Sequence, residues 1–202
     1  MKTVIITSQV GEKIVPIQKW LFAKYAPQLE INWIDMEDKH IENWCKNVAY
    51  GIEDIKPDRY SLFLLDDHLL LDVPYIPITI PPLLERLELG QRWSHHKNTI
   101  DRGDHLSYRP DTLYSVSTQP SIWLTSTLLR VLKEVGSNPW KFETKGRCKA
   151  GIVKHPAMKF IAESAISKRR EGKININGMK PEDRDELIKI GLLEESEIVF
   201  GW

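Results

Sequence analysis

The chain is predicted to adopt an α/β fold with a mostly parallel central sheet flanked by helices, and three observations carry that expectation. Short segments at Thr3–Thr7, Glu30–Asp35 and Tyr60–Leu65 have strand character. The two stretches between them, Lys13–Tyr25 and Ile41–Ile55, carry apolar residues at helical spacing. The resulting β-α-β-α-β order implies parallel strands joined by right-handed crossovers.

Thr3–Thr7 is a short apolar run bounded by Ser8 and Gly11, suited to a buried strand. In Lys13–Tyr25, residues Ile14, Ile17, Leu21 and Tyr25 recur on one helical face, and Pro27 closes the segment. Glu30–Asp35 alternates polar and apolar residues, with β-branched and aromatic members. In Ile41–Ile55, Trp44, Val48, Ile52 and Ile55 form a stripe that ends before Pro57. Tyr60–Leu65 is apolar almost without a break, as expected of a strand buried on both faces.

The middle of the chain is less regular. Val73–Pro82, with four prolines, reads as extended and leads into a short helix at Leu83–Leu89. Ser94–Pro110 reads as a polar loop or hairpin, and Leu113–Ser117 as a further strand. Pro120 and Ser121 open a predicted helix at Ile122–Val135, stopped by Gly136. Two last helices are expected at Met158–Arg170 and Pro181–Ile190, the second with Pro at its first position, acidic residues in its first turn and Gly191 beyond its end.

Composition narrows the function. The 202 residues correspond to one domain, 1–202, at about 150 residues per domain. The 28 Lys+Arg balance 28 Asp+Glu, which disfavours a nucleic-acid partner, since such domains carry a basic excess. The two cysteines, Cys45 and Cys148, form no disulfide framework and read as reduced residues. Met1–Ile6 reads as a first strand rather than a signal peptide. No stretch reaches the roughly 18 apolar residues of a membrane span, because Asp66, Asp67 and His68 interrupt Ser61–Leu71. No transmembrane segment and a cytoplasmic location are therefore expected. Seven tryptophans are many for this length: Trp20, Trp33 and Trp44 fit the core, and others are candidates to stack on planar or sugar-like ligands.

The most informative segment follows the third strand: Asp66-Asp67-His68, with apolar residues on both sides. Adjacent carboxylates near an interior cost several kcal/mol unless compensated, roughly the scale of an unpaired buried ion. A divalent cation would remove that cost, and the carboxyl ends of parallel strands are where such folds place ligands. In an extended segment Asp66 and His68 would point to one side and chelate one ion. Carboxylate with imidazole favours Mn²⁺ over Mg²⁺. The alternative is that Asp66 and Asp67 cap a turn.

An apolar strand ending in Asp-x-His after this β-α-β-α-β start resembles the nucleotide-sugar glycosyltransferases of the GT-A fold. A second block, Tyr114–Trp123 (YSVSTQPSIW) followed by an apolar stretch and Asn138–Glu143 (NPWKFE), is similar to a stretch of small viral and bacterial glycosyltransferase-like proteins. The resemblance covers residues 3–170. It implies a GT-A-like sandwich and a metal-dependent transfer of a sugar from a UDP, GDP or dTDP donor to a glycan or other acceptor hydroxyl, with inversion. Glu143 would be the general base, Asp66 and His68 would ligate the metal, and His155 would complete its sphere. Thr7, Ser8 and Asp35, at strand ends, would seat the nucleotide with Asp67. Trp140 would form a sugar or acceptor platform, with Trp123 divided between that role and the core. Lys46, Asn47 and Tyr50 would lie near the nucleotide or on a solvated face. The pair His95-His96 reads as surface, and Lys168-Arg169-Arg170 as a helix end. A non-catalytic GT-A-like module that binds a nucleotide or glycan within a larger assembly is the alternative function. A nucleotidyltransferase is disfavoured because no Gly-rich phosphate loop stands near Gly11.

Overall fold

Strand β1 (Thr3–Ser8) forms the middle of the amino-terminal half and pairs in parallel on both sides. The structure is a computed structural model and describes residues 3–8, 13–36, 41–73, 89–92, 99–101, 105–108, 116–148, 151–153, 159–160 and 173–199. On one side lies β2 (Glu30–Asp35), in register from Thr3↔Glu30 to Ser8↔Asp35. On the other lies β3 (Tyr60–Leu65), in register from Thr3↔Ser61 to Thr7↔Leu65. The helices between them are α1 (Ile14–Tyr25) and α2 (Trp44–Ile55), the latter entered through a 3-10 turn at Ile41–Asn43. All five expected elements therefore form.

Side-chain alternation accounts for the layers. On β1, Val4 and Ile6 point to one face, where Ile14, Ile17 and Leu21 of α1 bury with them. Ile5 points to the other, against Trp44, Val48 and Ile52 of α2. β3 divides likewise, with Leu62 and Leu64 on the α1 face and Phe63 on the α2 face. Burial on both faces is the reason its sequence is nearly all apolar.

Two strands and two helices complete the large sheet and its cover. After β4 (Leu70–Asp72) and β5 (Leu89–Arg92), a hairpin forms from β6 (Thr99–Asp101) and β7 (His105–Tyr108), within the polar segment expected to be a loop or hairpin. β8 (Ser121–Leu124) then inserts antiparallel beside β3, and β5 pairs antiparallel with β8, giving the order β2-β1-β3-β8-β5. Four strands thus run one way and β8 the other. Helices α3 (Thr125–Val135) and α4 (Pro139–Lys145) join α2 on their face of the sheet. Downstream lie β9 (Gly151–Val153), paired with β7, and β10 (Lys159–Phe160), paired with β4. The chain continues through β11 (Ile174–Asn175), α5 (Pro181–Lys189) and β12 (Ile198–Val199), with Leu187 of α5 buried in the α1-side core.

Three expectations change. The helix expected from Ile122 starts at Thr125, because Ser121–Leu124 is a strand. Ile122 faces the α1 side and Trp123 the α2 side, an alternation that only a strand delivers. The strand expected at Leu113–Ser117 is absent at Val116 and Ser117, which are irregular; 113–115 lie outside the described residues. The helix expected from Met158 is interrupted at its start, where Lys159 and Phe160 pair with β4. The rest of that segment, including Lys168-Arg169-Arg170, lies outside the described residues, as do 74–88 and His95-His96.

Candidate functional site

Topology brings most of the expected residues to one edge of the sheet. β1, β2 and β3 are parallel, so Thr7 and Ser8, Asp35 and the Asp66–His68 segment all stand at carboxyl ends. β8 is reversed and pairs Phe63 with Ser121, so the segment before it, Val116–Pro120, arrives at the same edge. The chain leaves β1 for β2 on one side and returns to β3 on the other. The gap between β1 and β3 is thus a topological switch point, where open α/β sheets leave a crevice.

At that gap the backbone is tied across: the Asp66 N–H donates to Thr7 O at 3.1 Å, and the His68 N–H to Leu65 O at 3.3 Å. Residues 65–68 are therefore a turn rather than an extended run, which corrects the simple same-side geometry expected for Asp66 and His68. The Asp66 residue is 1% exposed and His68 8%. The His68 Nδ1 atom lies 2.8 Å from Asp67 Oδ1, an ion-pair distance at which the ring N–H does not point at the carboxylate. The Asp67 carboxylate thus stands beside Nδ1 without a hydrogen bond to it.

Helix α1 holds the other end of this turn. Ile14, Ile17 and Leu21 bury its apolar face, and Gln18 lies on the same face. Its Nε2 donates to His68 O at 2.8 Å, and its Oε1 accepts from the Leu70 N–H at 3.1 Å. Sequence reasoning passed over Gln18, although its place in the stripe marks it as a polar residue on a buried face.

Glu143 stands on α4, which Asn138 caps by accepting the Lys141 N–H at 2.9 Å, with Pro139 at the first helical position. Phe142 buries between Trp44 and Trp123, at ring-centroid distances of 5.6 and 6.0 Å. The Glu143 carboxylate turns toward the Val116–Pro120 segment. Its Oε1 accepts from Ser117 Oγ (3.0 Å), the Thr118 N–H (2.8 Å) and Thr118 Oγ1 (2.9 Å). Ser117 and Ser121 then brace the segment internally, through the Gln119 N–H at 3.1 Å and Gln119 O at 2.8 Å. Trp140, one turn before Glu143, is 63% exposed and is the exposed tryptophan among the described residues. Trp123 is fully buried core.

The remaining expected residues divide. Thr7 is fully buried and its hydroxyl has no hydrogen-bond partner, so it faces packing rather than solvent. Ser8 ends β1 at the edge, and its side chain lies outside the described set; Asp35 is exposed at the end of β2. His155 lies outside the described residues. On α2, Lys46 and Tyr50 are exposed. An apolar groove between α1 and β2, lined by Phe22, Leu29 and Trp33, opens at the opposite end of the sheet and takes no part.

Asp66, Asp67 and His68 carry oxygen and imidazole donors, the types that suit a first-row divalent ion. Among the described residues no group of three or more His, Cys, Asp or Glu side chains converges on one point. Nor, among the described residues, is any helix long and apolar enough to cross a membrane. No protein-family model, curated protein or solved structure matches the chain.

Proposed function

We propose that the chain is a GT-A-like, metal-dependent glycosyltransferase that moves a sugar from a nucleoside-diphosphate donor to an acceptor hydroxyl with inversion, in the cytoplasm. One observation carries the reading: an Asp-Asp-His turn and a helix-borne glutamate meet the same sheet edge, with the turn at the switch-point crevice. Asp66 and His68 would hold Mn²⁺, with Asp67 against the His68 ring. The metal, when bound, neutralises the diphosphate and acts as a Lewis acid on the leaving group. The nucleotide would sit across the ends of β1 and β2, near Ser8 and Asp35. Glu143 would take the acceptor proton on Oε2, since three donors already occupy Oε1. Trp140, on the same helix face, supplies the acceptor with a stacking surface.

Thermal denaturation with UDP, GDP and dTDP, each with and without Mn²⁺, tests the site. At about 100 times Kd, a ligand specific for the folded state adds about 2.7 kcal/mol, a shift of several degrees. The expected result is a shift that needs both nucleotide and metal and disappears in Asp66→Ala. No shift with any nucleotide overturns the reading.

The three bonds to Glu143 Oε1 also favour a second reading, in which this residue only braces the Val116–Pro120 segment and the chain binds a nucleotide or glycan without transfer. Glu143→Gln keeps an acceptor for those donors. Donor-sugar hydrolysis by wild type that is lost in Glu143→Gln supports the enzyme. Nucleotide binding with no hydrolysis by wild type supports the binding module.

A further inference from the structure

The turn carrying Asp66, Asp67 and His68 is tied to the α1 face of the fold by hydrogen bonds at its start and at its end, where it enters β4. One is the bond from the Asp66 N–H to Thr7 O, a continuation of the β1–β3 ladder. The other belongs to a single side chain, Gln18, which is 0% exposed. Its carboxamide meets His68 O and the Leu70 N–H, a donor–acceptor pair two residues apart on the same chain. A neighbouring strand would satisfy that pair in the same way, so the side chain stands in for one residue of a strand.

We propose that Gln18 is the positioning residue of the site, fixing the backbone of the turn so that Asp66 and His68 can share a divalent cation. The proposal rests on the metal-site reading of Asp66 and His68. Its physical basis is independent of that reading. A carboxamide on the buried face of α1 is tolerated only because both of its polar groups are bonded, whereas an apolar residue would complete the Ile14, Ile17, Leu21 stripe without that demand. His68 O, the acceptor, belongs to the expected ligand itself, so the bond constrains the residue whose imidazole must be aimed. Leu69 and Leu70 bury their side chains and would keep the segment against the core without Gln18. Their burial is non-directional, and the pairing of β4 with β10 begins only at Leu70, so neither sets the backbone at His68.

Gln18→Met keeps the length of the side chain and removes both bonds. In the full-length chain, two measurements are made beside wild type and Leu187→Ala, a cavity variant in α5 that controls for stability lost from the α1-side core without loss of the two bonds. The first is amide exchange at Leu70 relative to Val4–Ile6. The second is Mn²⁺ affinity at saturating UDP, with the broadening of the His68 imidazole signals by bound Mn²⁺. The expected outcome for Gln18→Met is at least tenfold faster relative exchange at Leu70, at least tenfold weaker Mn²⁺ binding and reduced His68 broadening, with Leu187→Ala like wild type in all three. Gln18→Asn, one methylene too short to span both groups, repeats the test if Gln18→Met does not fold. Unchanged Mn²⁺ affinity and broadening in a Gln18 variant overturn the positioning role and leave the site reading standing. If wild type itself binds no Mn²⁺ with UDP, GDP or dTDP, the site reading fails, and the positioning of a metal fails with it; unchanged Leu70 exchange would then also remove Gln18 as the holder of the turn.

Discussion

Cys45 shows what burial does to a single ionisable group. It opens α2 on the inner face, fully buried in the cluster around Trp44 and Phe63, and desolvation pushes its thiol up to about 11. The unfolded thiol titrates near 8.5 by comparison. Between these values the unfolded chain loses a proton that the folded chain keeps, so folding stability from this group is full below about pH 8.5 and falls as pH rises toward 11. Urea unfolding at pH 8 and pH 10 should show a loss of about 1–3 kcal/mol from this group. Cys45→Ala should lack that increment; an equal loss in both proteins would assign the slope to other groups. The half-buried Cys148 is the better target for thiol reagents in the native state. Both cysteines read as reduced from the sequence, but the depth of Cys45 depends on how α2 meets the sheet and was not visible there. Gln18 was closer to legible, because its position in the α1 stripe is set by helical spacing.

Among the elements, α4 couples most directly to the proposed chemistry, and a short helix depends heavily on its ends. At 7 residues it is below the length at which an isolated helix persists, so capping and tertiary packing hold it. Asn138 contributes twice: its Oδ1 caps the Lys141 N–H, and its Nδ2 donates to Glu42 Oε1 and Oε2 at 3.0 and 3.1 Å. Asn138→Ala removes all of these and should cost about 1–2 kcal/mol in chemical denaturation. Because Glu143 sits on this helix, the same variant should expose the Thr118 amide to faster exchange than a variant of equal stability elsewhere. Equal exchange would mean that Phe142, wedged between Trp44 and Trp123, positions the helix without its cap. The Asn-Pro pair is a start signal readable from sequence. β8 was not readable in that way, because Ile122 and Trp123 adjoin the apolar face of α3 and extend its pattern backward. Only the neighbouring β3, with a free side to fill, resolves them as a strand. The reversal of β8 then delivers Val116–Pro120 to the site edge, so the misread element is the one that brings Glu143 and the Asp-Asp-His turn to a common edge.

At the scale of the whole molecule, the amino-terminal β-α-β-α-β unit is closed on its α1 face by the carboxyl-terminal segment. Ile174, Ile176, Leu187 and Leu193 enter the same core cluster as Ile14, Ile17 and Leu21. Above that cluster, Asp183 is 1% exposed and accepts the Tyr25 hydroxyl at 2.5 Å, with Lys24 Nζ 2.8 Å from its other oxygen. Lys180 lies 3.4 Å from Asp72 at the end of β4, and Lys13 pairs with Glu197, so contacts run along α1 from its start to its end. A segment that shares both core and buried polar partners with α1 should unfold with it. Urea unfolding followed by tryptophan fluorescence and far-UV circular dichroism should therefore give one coincident transition. Asp183→Ala leaves the Tyr25 hydroxyl and Lys24 without their buried acceptor and should cost about 2–4 kcal/mol, and Tyr25→Phe about 1–2 kcal/mol. In both variants the midpoint should fall with the slope unchanged, as expected when stability changes and the cooperative unit does not. A biphasic curve in Asp183→Ala, with the fluorescence change separated from the loss of ellipticity, would show instead that the carboxyl-terminal segment folds on a sheet already complete without it. The proposed turn site, held through Gln18 of α1, would then be insulated from events at the far end of the chain.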